Sequence, residues 1–290
     1  MKTLLDGKIV RDSMVEKMRA DVAGLGVKPC LVILQVGEVE ESNAYIGQKK
    51  KFGASIGVEV VHTKYAETVT EAELIADIKK LNADKKVHGI ILQLPIPENL
   101  RAATIIDAID PIKDVDGLTS ANLKLLARND SAGLVPATTK GILALLDYYH
   151  IEIAGKRAVM VGRSMLVGKP TALALLNRHA TVTIAHSKTQ NLAELTRMAD
   201  ILVVAIGKPK FITAEYVREG QIVIDVGINM EKIGLKEEIQ DEKPKVRLVG
   251  DVDFENVKDV VGAISPVPGG VGAMTVAALF ENVLEAAVIQ

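Results

Sequence analysis

The sequence predicts an α/β protein of two domains, each carrying a mainly parallel sheet. Three observations lead there. Short β-branched runs alternate with longer helical patterns along the whole chain. Its 290 residues are about two domains' worth of polypeptide at roughly 100–200 residues each. Several runs end in Gly or a small polar residue before a loop, as parallel strands do at a ligand-binding edge. The composition is that of an ordinary globular chain, with 48% hydrophobic residues, 25% charged residues and a net charge of −2.

In order along the chain, the first-half apolar runs CLVILQVG (30–37), VEVVHTKY (58–65) and VHGIILQLPIP (87–97) read as buried strands. Between them, one helix follows Ser42 as N-cap to about Gly53. A second runs from Thr70 to about Leu81, with Glu73 completing a capping box. A helical stretch near 101–109 leads to PIKDVDGLTSANLKLL, read as a loop entering a short helix. The second half opens with a helix near 139–149. It continues with strands RAVMVG (157–162), TVTIAHS (181–187), ADILVVAIG (199–207) and QIVIDVG (221–227), then a strand at 260–264 and a last helix at about 274–288. The domain boundary is expected near residue 140.

Composition excludes several classes. A single cysteine rules out a disulfide scaffold, and Cys30, beside Leu31–Leu34, reads as a small buried strand residue. Near-balanced charge and 3% aromatic content argue against nucleic acid as a partner. Charges at positions 2, 6 and 8 interrupt any signal peptide, and Gly, Pro or a charge breaks every apolar stretch before ~18 residues. No membrane partner and a cytoplasmic location are expected.

The segment VMVGRSMLVGKP (159–170) joins a strand to a helix with Pro170 in its first turn. A helix N-terminus offers N–H donors and partial positive charge, and Gly162 and Gly168 permit a tight turn near a pyrophosphate. The spacing is not GxGxxG, so the glycines alone fit a nucleotide loop or an ordinary strand-to-helix turn. The next strand sharpens the reading. Where an NAD site places a carboxylate for the ribose 2′-hydroxyl, this chain has His186, Ser187 and Lys188, with Arg163 in the glycine loop. Donors in place of the carboxylate suit a 2′-phosphate and favour NADP, although Arg163 as a solvated charge and His186 as a satisfied strand-end residue stand as alternatives.

In the first half, Tyr45, Lys49 and Phe52 share one helix face at i, i+4 and i+7. Lys49–Lys51 point about 100° apart, so only Lys49 lies beside Tyr45. A solvated basic face is the bland reading; a buried Lys49 would have a lowered pKa and could act as a base. Gln93 ends a strand just before Pro95, at the edge where binding residues gather. Asp114 and Asp116, in DVDG, are turn-capping or binding residues. The motif lacks metal-ligand spacing, and no metal is expected. PVPGGVGAMT (266–275) offers a rigid Pro/Gly wall for backbone contacts to a ligand.

YIGQKKK (45–51), QLPIP (93–97), KDVDG (113–117), VGRSMLVGKP (161–170), HSKT (186–189), DVGIN (225–229) and PVPGGVGAMT (266–275) together resemble the methylenetetrahydrofolate dehydrogenase/cyclohydrolase family, in its order and over nearly the whole chain. The resemblance implies NADP-dependent oxidation of 5,10-methylenetetrahydrofolate, then hydrolysis of the methenyl cation to 10-formyltetrahydrofolate, in one cleft between two domains. It implies a folate-binding catalytic domain at 1–139, completed by the helix 274–290, and a Rossmann-type NADP-binding domain at 140–273. By the same resemblance Lys49 is the catalytic lysine, Tyr45 lies against the aminobenzoate ring, Gln93 contacts Lys49 and Asp116 anchors the pterin amino group. Pro268, Gly269 and Gly270 line the substrate. Gly162, Arg163, Ser164, Gly168, Ser187 and Ile228 hold the cofactor, with Arg163 and Ser187 on the 2′-phosphate. A homodimer through the nucleotide domain is implied.

Ala137, Thr139 and Ala273 replace residues usual in that family, and the loss of two prolines at 139 and 273 is expected to loosen loops. Competing readings are a member with only one of the two activities, an NADP oxidoreductase for another small substrate, and a non-catalytic nucleotide or folate sensor.

Overall fold

The computed structural model describes residues 2–38, 40–233 and 245–290. The chain forms two compact units, neither of them one continuous stretch. One comprises residues Arg11–Gly141 and Thr275–Gln290, the other Met1–Val10 and Ile142–Met274. The expected partition at 1–139, 140–273 and 274–290 differs from this division mainly at the start, where the first ten residues pack with the second unit. Met1, Val39 and residues 234–244, inside the expected domain ranges, lie outside the described residues.

In chain order the elements begin with β1 (Thr3–Leu4), α1 (Gly7–Gly24), β2 (Cys30–Val36), α2 (Glu40–Ile56), β3 (Glu59–Tyr65), α3 (Glu71–Ala83) and β4 (Gly89–Gln93). Short helices α4 (Ala102–Ile106) and α5 (Ser120–Ala127) precede α6 (Ala137–Tyr148). Then come β5 (Arg157–Val161), α7 (Gly168–Asn177), β6 (Thr181–Ala185), α8 (Leu192–Arg197), β7 (Ile201–Val204) and β8 (Ile222–Asp225). The chain closes with β9 (Asn229–Ile233), β10 (Lys245–Val249), α9 (Phe254–Val257), β11 (Ala263–Ile264) and α10 (Val271–Ile289).

In the first unit three parallel strands are ordered β3-β2-β4. β2, the first strand of this sheet in sequence, lies in the middle, so the winding of the chain reverses between β2 and β4; that switch point is where open α/β sheets bind ligands. β2 and β4 are buried and apolar on both faces apart from Gln35 and Gln93, as parallel strands covered on both sides require. β3, expected to be buried, is instead an edge strand with Glu59, His62 and Lys64 and no fully buried residue. Ile33 and Ile91 join one core with Phe52, Phe280 and Val283. Leu34, Ile90 and Leu92 join another with Leu74, Ile78 and Ile105. The predicted capping box holds α3: the Thr70 hydroxyl accepts from Glu73 N–H and the Glu73 carboxylate accepts from Thr70 N–H. α2 begins earlier than expected, at Glu40, so Ser42 is not its N-cap; Ser42 is buried and its hydroxyl donates to the Leu94 carbonyl at 3.5 Å. Cys30 opens β2 and is half-buried rather than fully enclosed.

The second unit carries a six-stranded parallel sheet ordered β1-β11-β8-β7-β5-β6. Counted from β5, this is the 2-1-3-4 arrangement of a Rossmann-type sheet with its switch point between β5 and β7. Val159, Leu202, Val204 and Val223 make its core with Ile212, Val252 and Val257. An antiparallel pair, β9 with β10, stands apart from the sheet.

α10 is, among the described residues, the helix long and apolar enough by composition to cross a bilayer, although Glu281 and Glu285 interrupt it. It is largely buried, and Phe280 stacks on Phe52 at 5.4 Å between ring centroids.

Candidate active site

In the first unit, Gln93 ends β4 at the switch point, opposite Gln35 of β2 in the parallel register. Lys49, on the α2 that follows β2, donates from Nζ to Gln93 Oε1 at 2.9 Å. The Gln93 amide has a fixed orientation, because its Nε2 donates to the Leu94 carbonyl at 2.9 Å and leaves Oε1 for the lysine. Tyr45 lies one turn earlier on α2 and is half-buried, while Phe52 on the same face enters the core.

Lys49 and Asp116 are both half-buried, and both feel the protein around them. Burial holds the Lys49 ammonium below the ordinary lysine range, with Asp116 pulling the other way. Burial likewise pushes the Asp116 carboxyl up; Lys49 opposes the shift and Asp114 adds to it. The pair thus balances a desolvated amine against a desolvated acid, with some surface of each left for a substrate.

The two aspartates of DVDG separate cleanly. Asp114 is buried and spent on structure: its Oδ2 accepts from Thr119 N–H at 2.7 Å and from the Asn122 amide at 2.9 Å. Among the described residues the Asp116 carboxylate makes no such hydrogen bond, and it faces the Lys49 ammonium electrostatically instead.

Sequence reasoning overlooked the polar groups behind this site. Buried Gln35 donates to Asn43 Oδ1 at 3.1 Å and its Oε1 meets the His62 ring at 2.8 Å, linking β2, α2 and β3. A Gln inside the apolar run CLVILQV was the available signal.

In the second unit, β5 is followed by Gly162, whose φ of +130° is open to glycine and strained for other residues. A Cβ there would sit 2.2 Å from the Ala205 carbonyl oxygen, and one on Gly168 would sit 2.5 Å from the Gly162 oxygen. The Ser164 hydroxyl caps the following α7 by accepting from Val167 N–H and Gly168 N–H, both at 3.2 Å. Ser164 is therefore a helix-capping residue here as well as a loop residue. The N–H groups of Arg163 and Ser164 have no acceptor among the described residues, and the Arg163 side chain is exposed without an ion pair.

β5 pairs with β6 so that Val161 lies beside Ala185, which brings the glycine loop next to His186, Ser187 and Lys188. Ser187 and Lys188 are exposed, and His186 Nδ1 accepts from Lys188 N–H at 3.2 Å, which makes the histidine a turn residue. This donor set, with no carboxylate at the strand end, fits a dinucleotide carrying a 2′-phosphate.

Ile228 follows β8, exposed, with Gly272 close by, while Pro268, Gly269 and Gly270 follow β11. The Gly269 carbonyl accepts from Lys8 N–H at 3.2 Å, so the Pro-Gly turn rests on the start of α1, a contact the sequence did not disclose.

Two further buried acids organise the loops around Ile228. Asp251 accepts from the N–H groups of Ile206, Gly207 and Lys208 and from the Asn229 amide, at 2.6–3.0 Å. Asp225 accepts from Gly227, Asp251 and Val252 N–H at 2.9–3.0 Å. Burial pushes the Asp225 carboxyl up to about 7; the three N–H bonds oppose this and the Asp251 charge adds to it.

The three departures from the expected motif are accommodated differently from expectation. Position 139 lies within α6 and position 273 within α10, so neither is in a loop that a missing proline could loosen. Both fall in the first helical turn, where proline is tolerated but not required. Ala137 is buried and its N–H donates to the Asp116 carbonyl at 3.2 Å. Among the described residues no group of three or more His, Cys, Asp or Glu side chains could hold a metal ion.

Comparison with known proteins gives a consistent result. Residues 5–116 match the catalytic-domain model, and residues 136–290 the NAD(P)-binding-domain model, of tetrahydrofolate dehydrogenase/cyclohydrolase. The chain is 43% identical over 290 residues to the bifunctional protein FolD of Thermodesulfovibrio yellowstonii, covering 99% of this chain and 97% of the relative. It is similar to the crystal structure of the bifunctional methylenetetrahydrofolate dehydrogenase/cyclohydrolase from Campylobacter jejuni, with a TM-score of 0.91, 39% identity and 99% of each chain covered. It is also similar to the Trypanosoma brucei dehydrogenase-cyclohydrolase solved with NADP cofactor and an inhibitor, with a TM-score of 0.91, 32% identity and 99% and 97% of the two chains covered.

Proposed function

The chain belongs to the tetrahydrofolate dehydrogenase/cyclohydrolase family, and from that premise we propose how its residues divide the work. It is a bifunctional enzyme that oxidises 5,10-methylenetetrahydrofolate to the 5,10-methenyl cation and hydrolyses that cation to 10-formyltetrahydrofolate. NADP supplies the hydride acceptor when bound. Arg163, Ser187 and the open N–H groups of the glycine loop hold its phosphates, with Gly162 and Gly168 keeping the loop tight. Ile228 and the Pro268–Gly270 turn present backbone and apolar surface to the bound rings.

The observation that carries the hydrolytic half is the Lys49–Gln93 bond beside Asp116. Adding water to the methenyl carbon forms a C–O bond as the C=N⁺ π bond breaks and gives up one proton, which needs an acceptor. The adduct then opens by breaking the C–N5 bond, its hydroxyl becoming the formyl C=O as N5 takes a proton, for a net release of one proton. Burial lowers the Lys49 pKa, with Asp116 opposing the shift, which favours the amine form whose lone pair accepts the proton given up by the water. In that amine form the side chain also avoids repelling a cationic substrate. Gln93 aims the amine, Asp116 accepts hydrogen bonds from the pterin amino group, and Tyr45 lies against the aminobenzoate ring.

The reading extends to a homodimer through the second unit, supported by the open edge of β6, where Ile184 is 41% exposed and an uncovered strand invites pairing. It places the enzyme in the cytoplasm, where Cys30 stays reduced.

The test is Lys49→Met. The expected result is a loss of hydrolysis on the order of 10²-fold or more with the dissociation constant for NADP unchanged. Equal loss of NADP affinity would remove Lys49 from this role.

A further inference from the structure

α10 contributes one polar side chain to the interior that neither activity's chemistry requires. Asn282 is fully buried, and its amide makes three hydrogen bonds to groups far away in the sequence. Nδ2 donates to the Val115 carbonyl at 2.8 Å and to the Val135 carbonyl at 2.9 Å. Oδ1 accepts from Lys140 Nζ at 2.9 Å, and the same ammonium pairs with Glu285 at 2.5 Å. The amide has a single orientation, because both groups facing Nδ2 are acceptors and the group facing Oδ1 is a donor.

The two carbonyls are those of the residues immediately before Asp116 and Pro136. Their loops are also tied to each other, since Ala137 N–H donates to the Asp116 carbonyl at 3.2 Å. A Cβ on Gly117 would lie 2.7 Å from Pro136 N, so the two segments touch there. One buried amide therefore fixes both sides of the loop pair that presents the Asp116 carboxylate. Val115 cannot turn its carbonyl away without leaving a buried acceptor and a buried donor unmet.

We infer that Asn282 is a positioning residue for folate, setting where the Asp116 carboxylate meets the pterin, with Lys140 holding the Asn282 amide in register. The inference rests on the assignment of Asp116 as the pterin anchor. It concerns binding of folate and leaves the nucleotide loop untouched.

The test compares steady-state kinetics of Asn282→Asp, Lys140→Gln and Asp116→Asn, each with a thermal melt. Asn282→Asp keeps the shape and an acceptor for Lys140 but removes both N–H donors. The expected result is a rise of about tenfold in KM for 5,10-methylenetetrahydrofolate, equivalent to about 1.4 kcal/mol, with KM for NADP within twofold. A purely structural role would lower kcat and the melting temperature while leaving both KM values in place. Lys140→Gln, at a partly exposed side chain, should raise the folate KM by about threefold and serves if Asn282→Asp fails to fold. An unchanged folate KM in either soluble variant, or a parallel rise in KM for NADP, overturns the inference. Asp116→Asn separates the two assignments: if it leaves the folate KM unchanged, the pterin-anchor reading fails; if it raises the folate KM while Asn282→Asp does not, the positioning role alone fails.

Discussion

Asp225 gives the second unit a pH-dependent stability whose size follows from its surroundings. The carboxyl is 2% exposed and its pKa is raised from 3.8 to about 7. In the unfolded chain it loses its proton near its ordinary value, so between about pH 4 and pH 7 the folded state holds a proton that the unfolded state has released. Stability from this group is complete below the unfolded value and is lost as pH rises through the folded one. A shift of about 3 units at 1.36 kcal/mol each amounts to about 4 kcal/mol. Asp225→Asn fixes the neutral state. The amide cannot reproduce all three acceptor contacts, but that offset does not depend on pH. The free-energy difference between wild type and Asp225→Asn, from urea midpoints at pH 4.5 to 8, should therefore move by several kcal/mol against the wild type as pH rises. Taking the difference also removes the contribution of His62 and His88, whose pKa values burial lowers in both proteins alike. A pH-independent difference would refute the reasoning: it would mean that the N–H groups of Gly227, Asp251 and Val252 stabilise the carboxylate enough to offset its burial.

Three other perturbations address separate parts of the molecule. Arg163→Ala should weaken NADP by roughly tenfold or more, a charge-assisted hydrogen bond being worth about 1.5–3 kcal/mol, and leave NAD nearly unaffected; titration with each cofactor reads this, and an unchanged preference removes Arg163 from the 2′-phosphate. Gly162→Ala should disrupt cofactor binding and lower the melting temperature, because its Cβ would fall 2.2 Å from the Ala205 carbonyl at a φ of +130°; NADP binding like the wild type's would show that the loop can relax. Phe280→Ala, which empties the partner of Phe52, should cost about 3–5 kcal/mol by urea denaturation, and a cost under 1 kcal/mol would mean that α10 closes over the gap.

β2 to β8 and β11 were legible as short apolar runs stopped by a turn residue, and the capped helix α3 because Thr70 and Glu73 carry their own start signal, whereas β9 and β10 were not foreseen. α1 escaped because its 18 residues are rich in charge and weakly patterned, and its N-cap, Asp6, is recognised only once its carboxylate is seen accepting from Lys8 N–H at 2.8 Å. β1 is two residues long and exists through pairing with β11, a partner some 260 positions away. The same limit applies at the site. Lys49, Tyr45 and Gln93 could be picked out by helical period and strand position. Position alone could not tell Asp114 from Asp116; the family resemblance pointed to Asp116, and Thr119 and Asn122 claim Asp114. Asn282, whose partners lie 167 and 147 residues upstream, leaves no local trace at all.

The discontinuity of the units bears on how the protein is made. The unit that holds Lys49, Gln93 and Asp116 includes Thr275–Gln290, so the core around Phe52 lacks Phe280 and Val283, and the Asp116 loop lacks Asn282, until that segment has left the ribosome. Translation at about 5–20 residues per second leaves this first-encoded sheet waiting for its last-encoded helix for many seconds, while the chain of the other unit is already out. A ribosome that stops before Thr275 would therefore release a chain with its nucleotide loop encoded in full and its folate-side core unfinished.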